Sequence, residues 1–360
     1  MNHNAEVGSA ISDHVRVRAQ RPLVTIVVPV WNGEHFVRES LDSILAQTYE
    51  RLEVIVVDDA STDSTPEILD SYGDRIRVHR QSATRGIYGN ANDGIELANG
   101  ELVGVFHADD VYLSELVERE VDWLERHPQA GTVFCSDVFI DGEGHELGRL
   151  ELPPEVRGNR PLDYPVVLNT LLTYTNAFLR CPTALVRTSV YRDVGTYRDQ
   201  EFKNSSDIEM WLRIARSYPI GVLEDHLLLY RRGHGSSSER YHRLRTDPSR
   251  FFPILDLELE SGGRRAASEQ ALRAFEAHRQ VDNIIRSANH YILGDRDQAA
   301  AVLRGSSLRA LAASGRVQRG RMIVLALGLR VLLRLPRVSA VARLLERHWH
   351  GAAPTAAGSS

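Results

Sequence analysis

Blocks of continuous and of periodic hydrophobicity set the outline of this chain. LVTIVVPV (23–30) is an unbroken, β-branched run, the pattern of a strand buried on both faces. Val37, Leu41, Ile44 and Leu45 then recur along one helical face. LEVIVVDD (52–59) predicts a second buried strand that ends in two carboxylates. Ser61 to Thr65 offer caps for the helix that follows, and Pro66 suits its first turn. IRVHR (76–80) predicts a third strand, and 87–98 a helix closed by Asn99-Gly100. ELVGVFHADD (101–110) reads as a fourth strand, again ending in acids. Residues 112–127 read as a helix stopped by Pro128, and GTVFCSDVFI (131–140) as a strand before the Asp141-Gly142 turn.

Strands alternating with helices predict an α/β fold around a doubly wound, mainly parallel sheet. Ligands of such sheets bind beyond the carboxyl ends of the strands. Asp58-Asp59 and Asp109-Asp110 both stand at that edge. Either pair alone could be strand-end punctuation or a helix cap; two pairs at one edge suggest a site.

Beyond residue 255 the chain turns rich in Ala, Leu and Arg with helical spacing. One long helix is predicted over 264–293, ended by Gly294, with shorter ones near 296–303 and 307–313. MIVLALGLRVLLRLPRV (322–338) is strongly apolar, but Arg330 and Arg334 interrupt it and Pro336 ends it. It is too short and too charged to span a bilayer. Two expectations stay open for it. Leu325, Leu329, Leu332 and Leu333 pack on the α/β domain, or the segment lies in a membrane interface with its arginines toward anionic lipid. The expected organisation is a flexible tail (1–21), an α/β domain (22–245), a helical region (246–350) and a second tail (351–360).

Composition narrows the partners. The 360 residues are 42% hydrophobic and 25% charged, an ordinary globular balance, and the formal net charge of −5 gives no global basic field for nucleic acid. Cys135 and Cys181 are expected to be buried thiols, and the N-terminal stretch lacks the apolar core of a signal peptide. These features point to a cytoplasmic protein.

The segment 24–65 resembles the start of a family-2 glycosyltransferase with the GT-A fold. It carries a strand, Pro29-x-Trp31-Asn32, a helix, a second strand, and Asp58-Asp59-x-Ser61-x-Asp63. The resemblance continues to about residue 240 through Gly86, Asn92 and Gly94, then HADD (107–110). Val194-Gly195-x-Tyr197 and Ser206-Asp207 with Trp211-x-Arg213 follow, and Tyr230-Arg231-x-x-His234 closes it. It implies a Rossmann-like GT-A sheet with a C-terminal helical region. It also implies transfer of one sugar, with inversion and divalent-metal assistance, from a nucleotide-diphosphate-sugar to the hydroxyl of a glycan, lipid-linked or secondary-metabolite acceptor.

Residue by residue, the resemblance puts Pro29, Trp31, Asn32, Glu34, Asp58, Asp59, Arg85, His107, Asp109 and Arg231 at the nucleotide sugar. It puts Asp109 and His234 at a Mg²⁺ or Mn²⁺ ion, and Asp207 as the base. Elementary chemistry agrees for several of these. Trp31 offers a flat face to a base, Asp58 an acceptor for a base N–H, and Asp207 a proton acceptor for the attacking hydroxyl. The chain departs from the family pattern at several positions, among them Thr84 for an early Asn. Ala91 replaces an Arg that approaches the diphosphate, His107 replaces the first Asp of Asp-x-Asp, and Ser206 replaces a Glu. The departures keep open a catalytically inactive sugar-nucleotide-binding module. A sugar-phosphate nucleotidyltransferase is the other alternative, although its Gly-rich loop after the first strand is missing. The absence of Gln-x-x-Arg-Trp favours single-sugar addition.

Overall fold

The computed structural model describes residues 21–176, 178–233, 244–312, 318–335 and 339–350. The tail segments 1–20 and 351–360, Pro336 and His234 lie outside these residues. The chain divides into two compact units, one of Met1–Tyr164 with Asn176–Arg231, the other of Pro165–Thr175 with Arg232–Ser360.

The first unit opens with β1 (Val24–Val30), α1 (Val37–Leu45), β2 (Leu52–Asp58), α2 (Thr65–Asp70), β3 (Arg77–Arg80), α3 (Ile87–Leu97) and β4 (Leu102–Val105). β3, β2, β1 and β4 lie side by side in parallel, as β-α-β alternation requires. All seven residues of β1 are buried, which is what its unbroken apolar run demands of a central strand. α3 lies close against β1. A Cβ built at Gly94 would sit 2.1 Å from Val27 Cγ1, so only glycine permits this approach.

β4 stops at Val105, so HADD leaves the sheet as a loop rather than prolonging the strand. β5 (Val111–Tyr112), α4 (Leu116–Arg126), β6 (Thr132–Ile140) and β7 (Glu146–Arg149) follow. α5 (Tyr164–Tyr174) falls inside the span expected for the first domain, but nearly all of it groups with the second unit. β8 (Leu185–Arg187), α6 (Thr188–Val194), α7 (Asp199–Phe202), α8 (Ser206–Ser217) and β9 (Ile220–Arg231) complete the first unit. β8 runs antiparallel to both β4 and β6, β9 parallel to β6, and β5 antiparallel to β9. The sheet is therefore parallel at its first four strands and mixed beyond them, in the order β3-β2-β1-β4-β8-β6-β9-β5, with β7 beside β6.

In the second unit α9 (Phe251–Glu260) is followed by α10 (Glu269–Leu293), α11 (Arg296–Arg304), α12 (Leu308–Ala312), α13 (Gln318–Leu332) and α14 (Ser339–His350). The long helix starts at Glu269 rather than 264, because the Ser268 side chain caps it by accepting from Ala271 N at 3.1 Å. Gly294, at φ 94°, ends it in the left-handed conformation. Leu329 and Ala326 of α13 are fully buried among Ile284, Tyr291, Leu303 and Leu311, with Leu325, Leu332 and Leu333 packed at the edge. These leucines thus pack on helices of their own unit. No helix among the described residues is long and apolar enough to cross a membrane.

Candidate active site

The parallel register sets Val30 opposite Asp58, so the chain leaves β1 and β2 side by side. The two departing loops are sewn together. Asn32 N donates to Ser61 Oγ (2.9 Å), Thr62 N to Asn32 Oδ1 (2.8 Å), and Glu34 N to Asp63 Oδ2 (3.1 Å); Ser64 N donates to Glu34 Oε2 (3.0 Å). Asn32 and Glu34 therefore shape the loop pair, Asn32 at a positive φ of 49°. Trp31 rises from this frame with 51% of its surface exposed, so it is no core residue. Asp58 lies beneath, buried, accepting from Ser61 N at 3.1 Å. Pro29 stays within β1.

Asp59 is also buried, and both its oxygens hold backbone. Oδ1 accepts from Arg85 N at 2.6 Å and Oδ2 from Gly86 N at 3.0 Å, fixing the entry to α3. The Arg85 guanidinium is paired with Asp93, at 2.7 Å to each carboxylate oxygen. Asp59 is thus filled by backbone, whereas Arg85 meets Asp93 through Nη1 and stays half exposed.

The HADD loop carries the densest cluster of donor atoms. His107, Asp109 and Asp110 each present a ligand atom within 4.8 Å of the others. His107 Nδ1 lies 3.7 Å from Asp110 Oδ2. His107 is clamped by its main chain, N donating to Tyr112 Oη (2.5 Å) and O accepting from Ser40 Oγ (2.9 Å). Burial holds the imidazole below its ordinary pKa, hence neutral and able to offer a lone pair. Burial and the neighbouring Asp109 charge push the Asp110 carboxyl well above the usual range. His107 Nε2 and Asp110 Oδ2 are buried without a hydrogen-bond partner. Two orphaned ligand atoms, one on His107 and one on Asp110, beside the second carboxylate of Asp109 fit a single divalent ion.

Arg231 differs from expectation. It is 3% exposed, and its guanidinium is fully engaged, by Glu39 Oε2 (2.6 Å), Asp109 O (2.9 Å) and Asp141 O (3.0 Å). It lies over the Phe36 ring at 4.6 Å, while its backbone N donates to Asp110 Oδ1 at 2.8 Å. The side chain braces the HADD loop from below and presents no open donor face.

Asp207 occupies the second residue of α8, where Ser205 holds the cap position, so it is not the helix cap. It is partly exposed. Its neighbours are the Tyr88 hydroxyl, Ile208 N–H and, at 3.5 Å, Asn176 Nδ2. Burial outweighs these hydrogen bonds and raises its pKa to about 6. Downstream, Arg213 ties α8 to the end of α6. It donates to Gly195 O (3.0 Å) and Thr196 O (2.9 Å) and pairs with Glu209 at 2.9 Å. Asn92 locks α3 to the same region, exchanging two hydrogen bonds with the Tyr197 backbone at 2.8 and 2.9 Å. Both motif residues are thus structural.

Comparison with known proteins bears on this geometry. Residues 25–195 match the family model described as Glycosyl transferase family 2. Over those residues the chain is similar to the family 2 glycosyltransferases. An uncharacterized glycosyltransferase of Rickettsia typhi is 31% identical over 196 residues, covering 54% of this chain and 59% of the relative. An uncharacterized protein of Mycobacterium tuberculosis is 28% identical over 279 residues, 75% of this chain and 74% of its own. The chain thus spans less than two thirds of the Rickettsia relative. Among solved structures, residues 1–349 of S. aureus TarS in complex with UDP-GlcNAc superimpose with a TM-score of 0.58 at 17% identity. The overlap covers 89% of this chain and 91% of that one. At that identity the likeness is one of fold.

Sequence motifs did not single out Tyr88, Asn176 or Arg180, which the fold brings to the candidate groups. Asp110 joins His107 and Asp109, Tyr88 and Asn176 contact Asp207, and Arg180 meets Asp137. Asp110 was visible as half of an Asp-Asp pair. Tyr88 and Asn176 carry no sequence signal, since their roles arise only from contacts 119 and 31 positions away along the chain.

Proposed function

We propose that this chain transfers a single sugar from a nucleotide-diphosphate-sugar donor to a hydroxyl acceptor, with inversion. The observation that carries the reading is Asp207, a partly exposed carboxylate whose pKa of about 6 makes it a base near neutral pH. The acceptor O–H gives its proton to Asp207 as its oxygen bonds to the anomeric carbon. The bond from that carbon to the diphosphate oxygen breaks on the opposite face, and the nucleoside diphosphate departs. Trp31 and Asp58 take the base, and His107, Asp109 and Asp110 are the candidate metal ligands. Bound at that cluster, Mg²⁺ or Mn²⁺ supplies positive charge to the diphosphate. Asp59, Asn32, Glu34 and Arg231 hold the loops in place around the donor.

The test is a thermal-shift screen of nucleotide sugars, UDP-GlcNAc first, with and without Mn²⁺, followed by transfer assays. A donor raises the melting temperature by linkage. Failure of every nucleotide sugar to shift it would refute the reading.

We further infer that the acceptor is lipid-linked and that the enzyme works at the cytoplasmic face of a membrane. Support comes from the outer face of α13. Val324 (70%), Leu327 (48%) and Val331 (57%) are exposed at helical spacing, flanked by exposed Arg321, Arg330 and Arg334. An apolar stripe with basic neighbours matches an anionic bilayer surface.

A further inference from the structure

Arg180 belongs to none of the sequence motifs, yet the topology brings it to the HADD loop. β8 runs antiparallel to β4 with Gly104 opposite Leu185, so the chain entering β8 rises beside the end of β4, from which His107 departs. Arg180 lies in that entering segment, immediately before a single helical turn at Cys181–Thr183. Its Nε is 2.5 Å from Oδ2 of Asp137, a fully buried carboxylate on β6. Its guanidinium carbon stands 4.7 Å from the Tyr230 ring and 5.2 Å from the Phe139 ring. Those two residues face each other in the β6–β9 ladder, one position before Arg231, whose backbone holds Asp110. The Arg180 charge acts on both His107 and Asp110.

The side chain is 17% exposed and is fixed through Nε and the two rings. Its two Nη groups donate to no acceptor among the described residues. A mostly buried guanidinium with open N–H donors is stabilised by a ligand that brings oxygens. Of the other two arginines expected at the diphosphate, Arg231 is committed to Glu39 and main-chain carbonyls, and Arg85 is half exposed and meets Asp93 through Nη1. Position 91, where the family pattern has an arginine, is a buried alanine.

We propose that Arg180 binds the donor diphosphate through its Nη groups. It thereby replaces the cation lost at Ala91 and stabilises the negative charge of the leaving nucleoside diphosphate. This inference rests on the donor-site reading above. A planar, permanently charged fork held by a buried carboxylate and two rings is pre-oriented for phosphate oxygens.

Calorimetry with UDP and GDP against UMP and GMP, each with and without Mn²⁺, isolates the second phosphate. Arg180→Met combined with Asp137→Asn removes both members of the ion pair, so no uncompensated charge is left buried. Arg180→Lys keeps the pair with Asp137 and gives a smaller effect of the same kind should the double variant fail to fold. The expected result is diphosphate affinity about 10- to 100-fold weaker in the double variant. Monophosphate affinity, which also reports the fold, is unchanged. Unchanged diphosphate affinity, or equal loss for mono- and diphosphates, would overturn the proposal and leave Arg180 a structural partner of Asp137. If the wild-type protein bound none of these nucleotides, the donor-site reading itself would fall, and this inference with it.

Discussion

Asp207→Asn separates catalysis from stability at one position. The amide keeps the size of the carboxylate and can still accept from the Tyr88 hydroxyl, but it cannot take a proton. Turnover is expected to fall by roughly 10²–10⁴-fold. The wild-type rate should rise with pH through about 6, the pKa that burial gives Asp207, and level off above it; the variant should lack this limb. Stability should move the other way. A folded-state pKa of about 6 against the ordinary 3.8 means that the native state binds the proton more tightly than the unfolded chain. Stability from this group is therefore full below pH 4 and is lost as pH rises through 6. At 1.36 kcal/mol per unit the ionised side chain costs the fold up to about 3 kcal/mol, less what partial exposure returns. Asp207→Asn should accordingly raise the melting temperature at pH 8 by several degrees, with the gain closing as pH falls toward 4. Differential scanning calorimetry at pH 4, 6 and 8 and a pH–rate profile are the assays. Near wild-type transfer by the variant, or a stability gain independent of pH, would refute the assignment.

Trp31→Ala should weaken mono- and diphosphate nucleotides alike by about 1–3 kcal/mol. It should leave the melting temperature unmoved, because the indole is half exposed; calorimetry with unaltered affinity would place the base elsewhere. Asp110→Asn should lower Mn²⁺ affinity by at least about tenfold, read from the electron paramagnetic resonance of free Mn²⁺; full retention would remove Asp110 from the ligand set. Leu327→Glu with Val331→Glu should abolish flotation with anionic vesicles while leaving transfer to a soluble acceptor intact. Negligible flotation of the unaltered chain would end the membrane reading.

Local pattern settled the parallel half of the sheet, because a strand buried on both faces must be an unbroken apolar run, and 23–30 and 52–59 are such runs. The start of α10 was also written locally, in Ser268, although the helical periodicity ahead of it hid the cap. The Trp31–Asn32 and Asp58–Asp59 loops were legible because they sit next to those strands. Tertiary structure decided which polar residues face a ligand and which hold the scaffold. Asp59 and Asp110 look alike in sequence. Asp59 is filled by two backbone N–H groups 26 and 27 residues onward, whereas Asp110 keeps an oxygen open. Arg231 and Arg180 exchange their expected standing for the same reason. Arg231 meets Glu39, 192 positions away, and closes over it. Arg180 meets Asp137 through Nε alone, and its Nη groups meet no acceptor among the described residues. Hydrophobic period is a property of neighbours along the chain, but satisfaction of a buried charge depends on partners that only the folded chain brings within 3 Å.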